Sequence, residues 1–126
     1  MIVRTESAGA NALRSLNGIA KYLTEHRRQI ADLDPDSADQ QLQAALDAMA
    51  RATDSIQRAL QTPPNAHSVQ KKDAESCFPY LQNALTKLLD GTKRADSADS
   101  KELAISRYAP KVVYAANLID TALTFE

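Results

Sequence analysis

The chain has few of the residues that would point to a particular chemistry. It contains a single cysteine, Cys77, and two histidines, so it can form no internal disulfide and has too few ligands for a zinc site. Tryptophan is absent and only three of the 126 residues are glycine. No glycine-rich phosphate loop and no nucleophile elbow occurs. These absences predict a protein that has no metal or cofactor and is not an enzyme.

Charge and hydropathy exclude further classes. The formal net charge is −1, which argues against direct nucleic-acid binding because such binding depends on clustered lysine and arginine. No segment is apolar over the length that spans a bilayer, and residues 1–7 lack the apolar run of a signal peptide. The lone Cys77 also suits a reducing compartment. We therefore expect a cytoplasmic protein that binds neither nucleic acid nor membrane.

The residues that are present favour helix. Apolar residues make up 44% and charged residues 25% of the chain, as in ordinary globular proteins. Alanine is abundant and β-branched residues are few, which favours helix over strand. A chain of this length can bury its own core, so we expect one domain over residues 1–126.

Apolar residues recur at three- and four-residue spacing in four segments. The pattern predicts helices over residues 8–31, 35–61, 68–90 and 100–124. Four helices of similar length with short connections are typical of an all-α, antiparallel, up-down-up-down four-helix bundle.

Capping residues mark several of the helix ends. Asp34 followed by Pro35 is typical of a helix start, with a cap residue and then proline at the first helical position. Gly91 is placed to cap the end of the third helix. Asp99 and Glu102 have the spacing of a capping box at the start of the fourth.

Two prolines, Pro79 and Pro110, lie inside the third and fourth helical patterns. A proline in a helix interior removes a backbone hydrogen bond, so we expect a kink at each. If the third helix begins near Ser68, Pro79 lies in its interior, whereas a start near Ser76 would put Pro79 in the first turn. We favour the longer helix, because its length matches the others. The prolines should then lie side by side near mid-bundle.

Paired kinks would open a cavity, a groove or a hinge, or they would only bend the helices around the core, and we favour simple bending. The candidate pocket at this level consists of Cys77, Phe78, Tyr108 and Val112. Bundle interiors do hold ligands, so a ligand-binding or enzymatic bundle is the alternative function. Without a base beside it, Cys77 is expected to be a small buried hydrophobe.

The fourth helix carries two apolar stripes. The first consists of Ile105, Tyr108, Val112, Ala115, Ile119 and Leu123. The second consists of Leu103, Tyr114, Leu118 and Phe125. Such a wide apolar surface indicates either the most buried helix of the four or a helix whose second stripe binds a partner.

Acidic residues cluster at one end of the predicted bundle. This acidic pole consists of Asp32, Asp34, Asp36, Asp39, Asp96 and Asp99, and Asp90 and Glu102 lie nearby. The bases at that end are Lys93, Arg94 and Lys101. Acids near helix N-termini commonly act as caps that interact with the helix dipole. The alternative is a surface that binds a basic partner.

No motif resembles that of a known family. The surplus apolar stripe favours a non-enzymatic interaction module, such as an adaptor, a chaperone-like protein or a small inhibitory or regulatory protein. Its partner would be another protein or a second copy in a homodimer. The remaining alternatives are the ligand-binding or enzymatic bundle and an inhibitor that binds a nucleic-acid-handling protein through the acidic pole.

Overall fold

The computed structural model describes residues 8–31, 38–63 and 65–124. Within these ranges the chain forms four helices and no strand. The helices are α1 (Ala8–Ala31), α2 (Ala38–Gln61), α3 (Ser68–Arg94) and α4 (Ala98–Ala122). They pack against one another around one hydrophobic core, which confirms the all-α four-helix fold.

Several helix boundaries agree with the sequence pattern. α1 has the predicted bounds, and α2 ends at the predicted Gln61. α3 begins at Ser68, so the longer alternative is right and Pro79 lies in the helix interior. Pro110 lies inside α4. The predicted start of α2 at Asp34 and Pro35 lies outside the described residues.

The prediction that Gly91 caps α3 is wrong. The helix continues to Arg94 and ends at Ala95, which is extended (φ −65°, ψ 127°). Gly91 has no positive φ, so the helix does not need its conformational freedom. It needs its small size instead, because a Cβ built on Gly91 would lie 2.6 Å from the Cβ of Ala104 in α4.

The predicted capping box of Asp99 and Glu102 is also wrong, and α4 begins and ends two residues earlier than expected. Its N-cap is Ser97, whose extended backbone lets the hydroxyl accept a hydrogen bond from the backbone N–H of Ser100 at 3.1 Å. Asp99 lies in the first turn, where a carboxylate interacts favourably with the helix dipole. The C-cap of α4 is Leu123.

Among the four helices, α4 has the most extensive contacts with its neighbours. α4 packs extensively against both α3 and α2, and α1 packs against α2 and α3. Contact between α1 and α4, and between α2 and α3, is slight. The order around the core is therefore α1, α2, α4, α3, and α2 lies beside α4 rather than beside the helix that follows it in the chain.

Polar side chains align α2 with α4. Arg51 donates a hydrogen bond to the amide oxygen of Asn117 at 3.3 Å. One turn further along both helices, the hydroxyl of Ser55 donates to the carboxylate of Asp120. Residue numbers rise together across this contact, so α2 and α4 run in the same direction. Ser55 is only 1% exposed, which places this hydrogen bond at the edge of the core.

The core consists of aliphatic side chains and many alanines. Its largest fully buried apolar members are Leu16, Leu23, Leu42, Met49, Ile56, Leu81, Leu85, Leu88, Ile105, Val112 and Ile119. Ile105, Val112 and Ile119 belong to the first predicted stripe of the fourth helix. Fully buried alanines, such as Ala52, Ala109 and Ala116, leave room for the helices to approach closely.

We expect Gly91→Ala to destabilise the protein by about 1–3 kcal/mol, since the added methyl group must push α3 away from Ala104. Urea denaturation measures this change in the free energy of unfolding. Gly18→Ala is the matched control. Gly18 is exposed in α1 and its new Cβ would meet nothing within 4 Å, so this change should stabilise by about 0.5–1 kcal/mol.

Adding Ala104→Gly to Gly91→Ala should restore part of the lost stability by reopening the space between α3 and α4. If Gly91→Ala proves as stable as Gly18→Ala, the two helices do not approach as closely as the structure shows.

We expect Ser55→Ala to cost about 1–3 kcal/mol of unfolding free energy, because it leaves the half-buried Asp120 carboxylate without its hydroxyl donor. Ser106→Ala, at an exposed serine of α4, should change stability by less than about 0.5 kcal/mol. In a double-mutant cycle, Ser55→Ala should cost much less in an Asp120→Ala background. Equal costs in both backgrounds would show that the hydrogen bond contributes nothing.

Candidate functional site

The structure separates the two apolar stripes of α4. The first stripe is core: Ile105, Val112, Ala115, Ile119 and Leu123 are buried, and Tyr108 is half-buried. The second stripe faces outwards. Leu103 is 61% exposed, Tyr114 59% and Leu118 39%. Phe125 lies outside the described residues. Thus α4 packs between two neighbours and still leaves its second stripe exposed.

An aromatic residue of α3 joins this surface. Tyr80 is 48% exposed, and its ring meets that of Tyr114 edge to face, with centroids 6.4 Å apart and an interplanar angle of 74°. We call Tyr80, Leu103, Tyr114 and Leu118 the outer face. The exposed Val69, eleven residues before Tyr80, lies on the same side of α3 by helical geometry.

The periodicity of α4 could not identify Tyr80, because another helix contributes it. The feature of the sequence that could have indicated Tyr80 is its position next to Pro79.

The two prolines do not lie at the same level along the α3–α4 pair. Gly91 faces Ala104, and counting back along α3 from this contact sets Pro79 opposite α4 residues near Ala116. Pro110 therefore lies more than one helical turn from Pro79, and the side-by-side prediction is wrong. In the hairpin formed by α3 and α4, the two prolines are offset because α3 continues past Gly91 to Arg94.

The four residues of the predicted pocket do not surround one cavity among the described residues. Val112 is fully buried in the core, and Cys77 and Tyr108 are half-buried against it. Only Phe78 lines a substantial groove near Pro79. Cys77 and Phe78 are consecutive on α3, so their side chains point about 100° apart around the helix axis.

Two open grooves instead meet at Phe78. The first, of about 490 Å³, lies between α1 and α3 and has Ala12, Pro79 and Leu85 among its lining residues. The second, of about 350 Å³, is lined by residues that include Ile56, Leu60, Ala74, Leu123 and Phe78. The sequence placed the pocket between α3 and α4, but it is α1 that lies beside Phe78.

Among the described residues, no catalytic arrangement is evident around the Cys77 thiol. The hydroxyl of Ser76 lies 4.0 Å from the Sγ of Cys77, and a hydroxyl at that distance is no general base. In the part of the chain that the structure describes, no group of three or more His, Cys, Asp or Glu side chains could hold a metal ion.

The acidic pole is described only on its α3–α4 side. Asp32, Asp34 and Asp36 lie outside the described residues, as does the side chain of Asp39. Asp96 and Asp99 are exposed, and Asp90 and Glu102 are half-buried. Bases are interspersed there: Asp96 lines a groove of about 320 Å³ together with Arg94 and Arg107. This side of the pole is therefore of mixed charge.

No helix within the described ranges combines the length and the apolarity needed to cross a membrane. Comparison of the chain with known proteins finds no matching family model, no matching curated protein and no matching solved structure.

Proposed function

We propose that this protein is a non-enzymatic interaction module that binds a protein partner through the outer face of α3 and α4. The observation that carries the proposal is the exposure of Leu103, Tyr114 and Leu118 on a helix whose opposite side is fully used by the core. Adaptor, chaperone-like and regulatory or inhibitory roles all require such a surface, as does a homodimer.

The aromatic pair supports this assignment. Tyrosine is enriched at the energetically important centres of protein interfaces. The edge-to-face contact between Tyr80 and Tyr114 restricts both side chains before any partner arrives, so less conformational entropy is lost on binding. Tyr114 and Leu118 are one turn apart on α4, which extends the aromatic pair into a continuous apolar ridge.

We further propose that the chain is an antiparallel up-down-up-down bundle in which α3 bends at Pro79 and α4 bends at Pro110. Both prolines are exposed inside otherwise continuous helices, where each removes a hydrogen bond. Bends there would shape the outer face, because Pro79 precedes Tyr80 and Pro110 lies one turn before Tyr114. The proposed location is the cytoplasm, which suits the single thiol of Cys77.

We expect the double variant Tyr114→Glu and Leu118→Glu to lose its partner while keeping its helicity, because both side chains are exposed. Quantitative mass spectrometry of material captured by wild type and variant measures the loss, sedimentation velocity reports self-association, and circular dichroism reports helicity. The matched control is Gln40→Glu with Gln57→Glu, which adds the same charge at exposed positions of α2.

Loss of helicity in the Tyr114 and Leu118 variant would show that the second stripe belongs to the core. Unchanged capture and unchanged self-association in a folded variant would remove the outer face from the proposal.

A second candidate function, ligand binding, is favoured by the groove between α1 and α3. Its volume of about 490 Å³ is in the range of small-molecule pockets, and Phe78, Leu81 and Leu85 provide apolar walls. The acidic-pole alternative has less support, because Asp96 shares its groove with two arginines.

If this groove binds a metabolite, a thermal-shift screen should find a compound that raises the melting temperature of the wild type. Asn11→Trp should abolish the shift, since Asn11 is exposed and lines the groove, so a large ring there would fill it. Asn83→Trp, at an exposed position of α3 away from the groove, should retain the shift. A shift that survives Asn11→Trp would place the ligand elsewhere.

A further inference from the structure

We infer that the groove of about 350 Å³ beside Phe78 binds a free α-amino acid with a large apolar side chain, such as leucine or phenylalanine. The groove holds the side chain of this ligand. The ammonium of Lys71 binds its carboxylate, and the carboxylate of Glu75 binds its ammonium. The inference does not depend on the outer face, and its site is next to the groove between α1 and α3.

The groove lies where α1 and α3 begin and α2 and α4 end, so all four helix ends contribute to its wall. Ile56 and Ala74 line it and are 1% and 0% exposed, which shows that it reaches the core. Leu60 also lines it but is 47% exposed, and a bound apolar side chain would cover it. The volume is in the range of small-molecule sites.

A positive charge is held at the edge of this groove. Lys71 lines the groove and is half-buried, and its ammonium donates a hydrogen bond to the backbone carbonyl of Pro63 at 2.9 Å. This bond orients the ammonium and uses one of its three N–H donors. Lys71 forms no ion pair with a described residue. Its remaining donors can therefore bind the carboxylate of a ligand.

The opposite charge comes from the next turn of α3. Glu75 lies four residues after Lys71, on the same side of the helix, and lines the same groove. Glu75 is exposed and forms no ion pair with Lys71 or with any other described residue. No other titratable side chain among the described residues lines this groove, so its two charges balance. They match the ammonium and carboxylate that an α-amino acid carries on one carbon.

This pair of charges disfavours simpler ligands. A fatty acid or another apolar carboxylate would bring its negative charge close to Glu75, and an apolar amine would bring its positive charge close to Lys71. A peptide carries its ammonium and its carboxylate on different residues, so it would leave one of the two protein charges unmatched. A free amino acid satisfies both charges and fills the apolar groove.

The test is isothermal titration of the full chain with L-leucine and L-phenylalanine. We expect saturable binding with a dissociation constant of about 1 mM or lower. N-acetyl-L-phenylalanine lacks the ammonium and L-phenylalaninamide lacks the carboxylate, so each should bind about tenfold more weakly or worse than L-phenylalanine. Glycine, which has no side chain to fill the groove, should bind at least as weakly as they do.

Two variants assign the charges. Glu75→Gln should abolish the preference for L-phenylalanine over its N-acetyl form, and Lys71→Gln should abolish the preference over the amide. Damage to the fold would weaken all three ligands alike, so a change in preference distinguishes binding from a structural role. The matched controls, Lys72→Gln and Asp73→Asn, are at exposed positions of α3 that do not line the groove, and they should keep both preferences.

Three results would overturn the inference. One is the absence of saturable binding of either amino acid up to about 10 mM. Another is equal affinity for the three phenylalanine compounds, which would show that the two charges take no part. The third is loss of binding in Asn11→Trp, which would place the ligand in the groove between α1 and α3. None of these results bears on the outer face, which the Tyr114→Glu and Leu118→Glu variant tests separately.

Discussion

The position of α4 between α3 and α2 is the constraint on which the rest of the structure depends. On one side the helix approaches α3 so closely that Gly91 leaves no room for a methyl group beside Ala104. On the other side it is aligned with α2 by the part-buried hydrogen bond from Ser55 to Asp120. These two close contacts lie on either side of the first, buried stripe of α4. Together they fix the orientation of α4 about its own axis. That orientation decides which residues face outwards.

The same constraint gives the outer face its character. A helix packed on two neighbours buries a broad arc of its surface, and small residues such as Ala109 and Ala116 let it do so. Leu103 and Tyr114 lie outside that arc. They are exposed because of the way α4 packs against its neighbours, and not because the core is too small to cover them. Because α3 runs alongside, Tyr80 completes a surface that neither helix forms alone.

How far the sequence could predict these features depends on the range of the interactions involved. Amphipathic spacing predicts the helices and most of the core, because burial of one side repeats along a single helix. Caps are harder: Asp99 and Gly91 have the right residue types, but Ser97 provides the cap hydroxyl and Gly91 is needed where two helices touch. In both cases the residue type is compatible with several local roles, and for Gly91 the contact with Ala104 on another helix selects one of them.

The sequence by itself determined the all-α class, the four helical segments and the second apolar stripe of α4, since each follows from residue type and helical period. The tertiary structure alone decided that α2 lies beside α4, that Phe78 faces α1 while Val112 is buried, and that Tyr80 meets Tyr114. The physical reason is that periodicity fixes the apolar side of a helix but not its neighbour. Neighbours are chosen by the fit of small residues and buried polar groups between helices far apart in the chain.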